Sequence, residues 1–291
     1  MILRHLCLAL VAALPVFAQD YEIRLHHPRR VGSKNKVSAI GRDLQEMSMW
    51  SEGRALREEK KELTVEMDAV STVLAVGPKG KPTSLSLQIQ KLTKMDAGIQ
   101  KELLPRDTVV TASRVGKKTS FEVNGQAVDP DVTQALELVV SVSNPDLDDT
   151  DDDLFGTRER KRVGDSWDAN QAAVAKLLMS DPRMTVKDII GKATLKELIK
   201  DASGQRLLVA FEVTGKTVPA TPAPGASSQG GTIVMKGTAE FPLDPSLPRV
   251  KETAEMNLSA RMTGKQNPNG PEVERRMTLK RSTTVKITPI N

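Results

Sequence analysis

A two-residue alternation of apolar and polar side chains runs through most of the sequence, and it limits the fold more than any other feature. Leu63, Val65, Met67 and Ala69 alternate with Glu62, Thr64, Glu66 and Asp68. Leu85, Leu87 and Ile89 alternate with Ser84, Ser86, Gln88 and Gln90. The period recurs at Leu207, Val209, Phe211 and Val213, and from Thr253 to Thr263, where Ala254, Met256, Leu258, Ala260 and Met262 share one parity. Near the C-terminus Val273, Met277, Leu279, Val285 and Ile287 keep odd parity. Successive side chains of a β-strand point to opposite faces, so each run describes a strand with one buried and one wet face. Antiparallel sheets read this way, whereas buried parallel strands read as continuous apolar runs. Several runs are longer than the usual strand of about 5–6 residues. The expected fold is therefore mainly β within the α+β class: one or more long antiparallel curved sheets or half-barrels.

Turn signals fall between the runs, at Gly77-Pro78-Lys79-Gly80, Asn124-Gly125, Ser203-Gly204 and Asn267-Pro268-Asn269-Gly270. About two helices are expected to cover the sheet. Asp129 can cap a helix that starts at Pro130, with Val132, Ala135, Leu136, Val139 and Val140 on one face. A second helix is expected from Asn170 to Met179, ended by Asp181-Pro182. Val218 to Gly231 holds Pro219, Pro222 and Pro224 and reads as an exposed loop between strands.

Met1 to Ala18 has the pattern of a secretory signal peptide. Arg4 precedes an apolar run from Leu6 to Val16, and Val16-Phe17-Ala18 places small residues where a signal peptidase reads. Cleavage before Gln19 would leave 291 − 18 = 273 residues. The single cysteine, Cys7, and one of three histidines, His5, would leave with it. No later stretch is long and apolar enough for a transmembrane helix. The expected location is periplasmic or secreted. No disulfide can form there, so burial of aliphatic side chains must supply stability.

Arg29-Arg30-Val31-Gly32-Ser33 is echoed by Lys161-Arg162-Val163-Gly164-Asp165, and strand patterns follow each copy. This suggests two related modules. The expected division is a signal peptide at 1–18, a β-rich module with a C-terminal helix at 19–145, an acidic linker at 146–160, and a second β-rich module at 161–291. The string from Phe155-Gly156-Thr157 through Val163-Gly164-Asp165-Ser166-Trp167, with Gly237 to Asp244, resembles secreted, β-rich bacterial proteins that carry a domain of unknown function. The resemblance is specific over a short stretch. It implies an envelope or periplasmic location and a curved sheet like that of lipoprotein carriers, and it implies no catalytic residues. Physically, Gly164-Asp165 is a turn and Trp167 a core plug.

The remaining chemistry is sparse. Asp146, Asp148, Asp149, Asp151, Asp152 and Asp153 form an acidic run. Asp149, Asp151 and Asp153 fall at positions one, three and five of a calcium loop, but Leu154 stands where that loop needs Gly, and Arg160 where it needs Glu. A solvated linker paired with Arg158, Arg160, Lys161 and Arg162 is the simpler reading. His26 and His27 would point to opposite faces of a strand and suit no shared metal. There is no Gly-x-Ser-x-Gly elbow, no P-loop and no dinucleotide-binding fingerprint. The net charge of +5 is spread over a mixed surface, with Lys60, Lys61, Arg275 and Arg276 beside Glu58, Glu59, Glu272 and Glu274, so no nucleic-acid partner is expected. Aromatic residues make up only 3% of the chain, too few for an ordinary sugar-binding cleft.

These features assign no catalytic, cofactor-binding or metal-ligating residue and no cofactor. The expected protein is exported and non-catalytic, and binds an apolar ligand or an envelope protein in a curved sheet. Met256, Met262 and Met277 suit an adaptable apolar surface. A structural or assembly protein without a small ligand is the alternative, and a carboxylate-based hydrolase ranks last.

Overall fold

The computed structural model describes residues 19–116, 118–145, 149–179, 184–219, 226–265 and 270–290. The expected signal peptide (1–18) lies outside the described residues, as do Asp146, Asp148, Asp181-Pro182, Pro222, Pro224 and Asn267 to Asn269. The first half contains β1 (Lys34–Ser51), β2 (Arg54–Val76), β3 (Pro82–Asp96), β4 (Ile99–Glu102), β5 (Val109–Val115), β6 (Lys118–Val123) and β7 (Gln126–Ala127), followed by α1 (Pro130–Val139). Then come α2 (Asp151–Phe155), β8 (Ser166–Asp168) and α3 (Gln171–Leu178). The chain continues through β9 (Met184–Asp201), β10 (Gly204–Pro219), β11 (Ala226–Pro242), β12 (Lys251–Lys265) and β13 (Glu272–Pro289).

The protein is mainly β. Its thirteen described strands form one open antiparallel sheet in the order β7-β6-β5-β3-β2-β1-β13-β12-β11-β10-β9-β8, with β4 paired to β3. From β8 to β13 and from β1 onward, most strands pair with their chain neighbours. The last strand closes on the first, with Asn35 opposite Pro289 and Trp50 opposite Glu274 at the ends of the β1–β13 ladder. Both outer edges are short: β7 has two residues and β8 three. Short edges offer little template for pairing with another chain.

The hairpin turns follow local chemistry. Asn124 and Gly125 have φ of 53° and 75°, the paired positive angles of a type I′ turn. Glu52-Gly53 (50° and 77°) and Ala97-Gly98 (48° and 81°) make the same turn and join β1 to β2 and β3 to β4. Strand pairing also reaches into the expected loop at 218–231. Val218 faces Thr185 and Pro219 faces Met184, while β11 already starts at Ala226. The glycines explain why these residues can pair: a Cβ on Gly231 would lie 1.9 Å from the Ser259 carbonyl oxygen, so only glycine lets the strands approach there.

One face of the sheet carries the helices and the core. Over the first half, α1 lays Val132, Ala135, Leu136, Leu138 and Val139 on a cluster that includes Val65, Met67, Leu87, Ile89, Val110 and Phe121. Asp129 caps α1 through the Asp131 amide, as its position before Pro130 implies. Over the second half the core holds Trp167, Leu195, Leu207, Val209 and Phe241, continuing into Val174, Val186, Val213, Ile233 and Leu258. Tyr21, Ile23 and Leu25 of the amino-terminal segment belong to this second core. Trp167 is buried, and its indole N–H donates to the Phe155 carbonyl at 2.6 Å.

The two echoed pentapeptides take the same backbone form. Gly32 N–H donates to Val73 O, Ser33 N–H to Arg30 O, and Val73 N–H to Ser33 O. In the same pattern, Gly164 N–H donates to Leu195 O, Asp165 N–H to Arg162 O, and Leu195 N–H to Asp165 O. Gly32 and Gly164 both sit at positive φ, 85° and 98°.

Candidate functional site

The helix-bearing face is covered at both ends and open in the middle. Cross-strand register places Val65, Gly41, Thr283, Ala254, Gly237, Phe211 and Ala193 in one row running across seven strands. The centre of that row is built of small side chains. At Gly41 the gap is filled by α1, whose Leu138 Cγ would lie 2.5 Å from an added Cβ. Beyond Gly41, Ala254 on β12 is exposed although its parity places it on the core face. A trough results, with α1 on one side and Phe155, Phe211 and Phe241 on the other.

Two clefts make up this trough. The larger, about 560 Å³, is lined by Val37, Met67, Leu85, Leu87, Val139, Val285 and Ile287, with Arg29, Arg114 and Glu137 among its polar residues. The smaller, about 340 Å³, is lined by Phe155, Phe211, Val213, Met235, Phe241 and Met256. They share Glu252, Ala254, Arg281 and Thr283, so they meet on β12 and β13. Both volumes fall within the ~300–1,000 Å³ typical of small-molecule sites. The three rings pack on one another, with centroids 4.8 Å apart for Phe155–Phe211 and 6.3 Å for Phe211–Phe241. Such tilted and edge contacts fix an apolar wall. On the other face of the sheet, a groove of about 320 Å³ presents mostly polar residues, among them Lys192, Thr194, Glu212, Lys236 and Thr238.

Ion pairs frame the trough. Arg281 donates to Asp43 at 2.7 Å, and the other Asp43 oxygen is buried without a hydrogen-bond partner. Arg249 pairs with Asp151 and with Glu252 and lies 5.2 Å from the Phe241 ring centre. Arg29 also lines the larger cleft. Burial, and secondly the charge of Arg249, pulls its pKa down to about 10.

The described part of the acidic run acts as a set of separate tethers. Thr150 and Asp153 form a reciprocal capping box that starts α2, a helix the expected linker did not include. Asp149 accepts from Lys176 at 2.8 Å, Asp152 from the Leu25 amide at 2.6 Å, and Asp153 from Lys79 at 3.0 Å. The Thr150 amide and then Lys79 hold the Asp153 carboxyl well below the usual range. No group of three or more His, Cys, Asp or Glu side chains converges on a metal position among the described residues. His26 and His27 lie in an irregular segment rather than on a strand. His26 Nε2 is 2.6 Å from the Lys79 carbonyl and His27 Nδ1 is 2.7 Å from that of Leu247, so they tie the segment to different halves.

Of the methionines expected on an adaptable surface, only Met256 lines the trough; Met262 is half-buried elsewhere and Met277 is exposed toward the strand ends. Sequence reasoning missed the aromatic wall and the arginines. The signal was present: Phe211 keeps the apolar parity of β10, and Arg281 and Thr283 interrupt that of β13.

The fold and trough define a class: an open antiparallel meander with an uncovered, apolar-walled trough on its helix-bearing face. No protein-family model and no curated protein matches the chain, so the resemblance carried by Phe155 to Trp167 and Gly237 to Asp244 rests on those residues alone. Among solved structures the chain is similar to lipovitellin, described for its lipid–protein interactions, at 8% identity and a TM-score of 0.38. That match covers 89% of this chain, which spans about a quarter (25%) of the lipovitellin chain. It is also similar to an outer membrane channel from Pseudomonas putida F1, at 12% identity and a TM-score of 0.19, covering 92% of this chain and 99% of the channel. Pseudomonas aeruginosa OpdQ follows, with 6% identity, a TM-score of 0.20, and coverage of 89% and 98%. Likenesses this distant carry no functional argument. No described helix is long and apolar enough to cross a membrane.

Proposed function

We propose that this protein is a non-catalytic carrier or receptor that binds an apolar ligand in the central trough. The observation that carries the reading is the uncovered strip around Ala254, where the two clefts with apolar walls meet. A sheet built only for stability would fill that strip with side chains or a helix, as it does over both flanking cores. The signal-peptide pattern of Met1 to Ala18 supports an exported protein that works in the periplasm or outside the cell.

The test uses Nile red, an uncharged dye whose emission shifts to the blue on entering an apolar site. Wild-type protein binds it with a blue shift. Ala254→Trp fills the junction of the clefts and weakens binding by about tenfold or more, the scale of losing a well-packed contact. Circular dichroism checks that the variant is folded. Unchanged binding by folded Ala254→Trp would remove the trough from the account.

A second reading, an assembly protein that meets another chain, draws on Met47 and Leu56, which are exposed on the long β1–β2 hairpin. It ranks below the first because those residues are scattered among charged neighbours.

A further inference from the structure

We propose that the ligand is a single-chain amphiphile with a carboxylate head, and that Arg29 receives the head while the larger cleft takes the chain. This rests on the reading of the trough as a ligand site and names the ligand's chemical class. Arg29 is held in place by its backbone: its amide donates to the Gly80 carbonyl at 2.8 Å, and Pro28 packs where a Gly80 side chain would stand. Its side chain lines the cleft, half-buried. The other arginines that line the two clefts are engaged by the protein: Arg249 has Asp151 and Glu252, Arg281 has Asp43, and Arg114 donates to the Gly116 carbonyl at 3.1 Å. No carboxylate among the described residues pairs with Arg29, and Arg249 repels it. A partly desolvated cation without a partner is costly, and the cost is relieved when a ligand brings an anion.

The cleft also limits the anion. One unmatched guanidinium balances one negative charge, and its planar fork fits a carboxylate through two parallel hydrogen bonds. A volume of about 560 Å³ suits one chain rather than a two-chain lipid. The chain has apolar walls to follow at Val37, Leu85, Val285 and Ile287. Two carboxylates line the same cleft. Glu252 is held by Arg249, and Glu137 sits on the exposed side of α1, so Arg29 remains the position that favours an acidic head.

The experiment is calorimetric titration with hexadecanoate and with its methyl ester, using wild type and Arg29→Met, which keeps the length of the stem. Wild type binds the acid about tenfold more tightly than the ester, as expected for a charge-assisted pair. Arg29→Met loses that preference and keeps its affinity for the ester, while Arg29→Lys retains part of it. Because no carboxylate among the described residues pairs with Arg29, Arg29→Met melts no lower than wild type, which a structural cation would not allow. Equal binding of acid and ester by wild type overturns the head assignment and leaves the apolar reading standing. So does an equal loss of both ligands in Arg29→Met. Binding of neither ligand by folded wild type overturns both.

Discussion

Arg206 shows how a charge can lie inside a sheet that otherwise buries aliphatic side chains. Its side chain is 8% exposed, and its guanidinium reaches Asp201 through two hydrogen bonds of 2.6 and 2.9 Å and Glu240 through one of 3.0 Å. The Asp201 carboxyl is held well below the usual range, first by Arg206 and then by the Ser203 hydroxyl and amide. A carboxyl whose folded pKa is depressed stabilises fully above its unfolded pKa, and the contribution is lost as pH falls through the folded value. Asp201→Asn is therefore less stable than wild type at pH 7, and the gap narrows below the ordinary Asp pKa of about 3.9. Urea midpoints at several pH values read this; a gap that does not change with pH would show that the pairing is unimportant. None of this was legible in the sequence, because Arg206 and Asp201 flank a turn that promises only a hairpin. Trp167 was legible, since a large ring just after the Gly164-Asp165 turn most readily packs into the core. The acidic run was half legible. Its failure as a calcium loop followed from Leu154 and Arg160, but its partners Lys79, Lys176 and Leu25 lie far away in sequence.

At the scale of elements, α1 was readable because Asp129-Pro130 marks its start and its apolar spacing is helical. α2 was not, since five residues show no periodicity, although Thr150 and Asp153 have the spacing of a capping box. The seat of α1 could not be read either. It depends on Gly41, which inside a strand pattern looks only like a weakness. In the structure Leu138 Cγ and Val139 Cγ1 would lie 2.5 and 3.0 Å from a side chain there, so the helix occupies the space the glycine leaves. Gly41→Val should therefore lift α1 and cost about 1–3 kcal/mol, the usual penalty of overpacking. Leu138→Ala in the same chain should recover part of the loss. Denaturant unfolding of the two single variants and the double variant checks this, and strictly additive losses would contradict the contact.

At the scale of the molecule, alternation predicted a large antiparallel sheet with one dry face, and that is what the strands form. Alternation could not show that the final strand returns to pair with the first, because pairing partners depend on register over the whole chain. The backbone hydrogen bonds around Gly32 match those around Gly164, and the sheet joins its two halves where β1 pairs with β13. The trough lies beside that junction, where each half's core ends and α1 reaches only the near side. Its position explains why no local motif announced it: its floor comes from β12 and β13, its walls from α1 and from Phe155, Phe211 and Phe241.

The most direct measurement is native mass spectrometry of the folded protein after incubation with a total membrane lipid extract. The expected spectrum shows one dominant bound species, of one apolar molecule per chain, that dissociates on activation and can be identified. A bare protein mass under conditions that preserve the fold would contradict it.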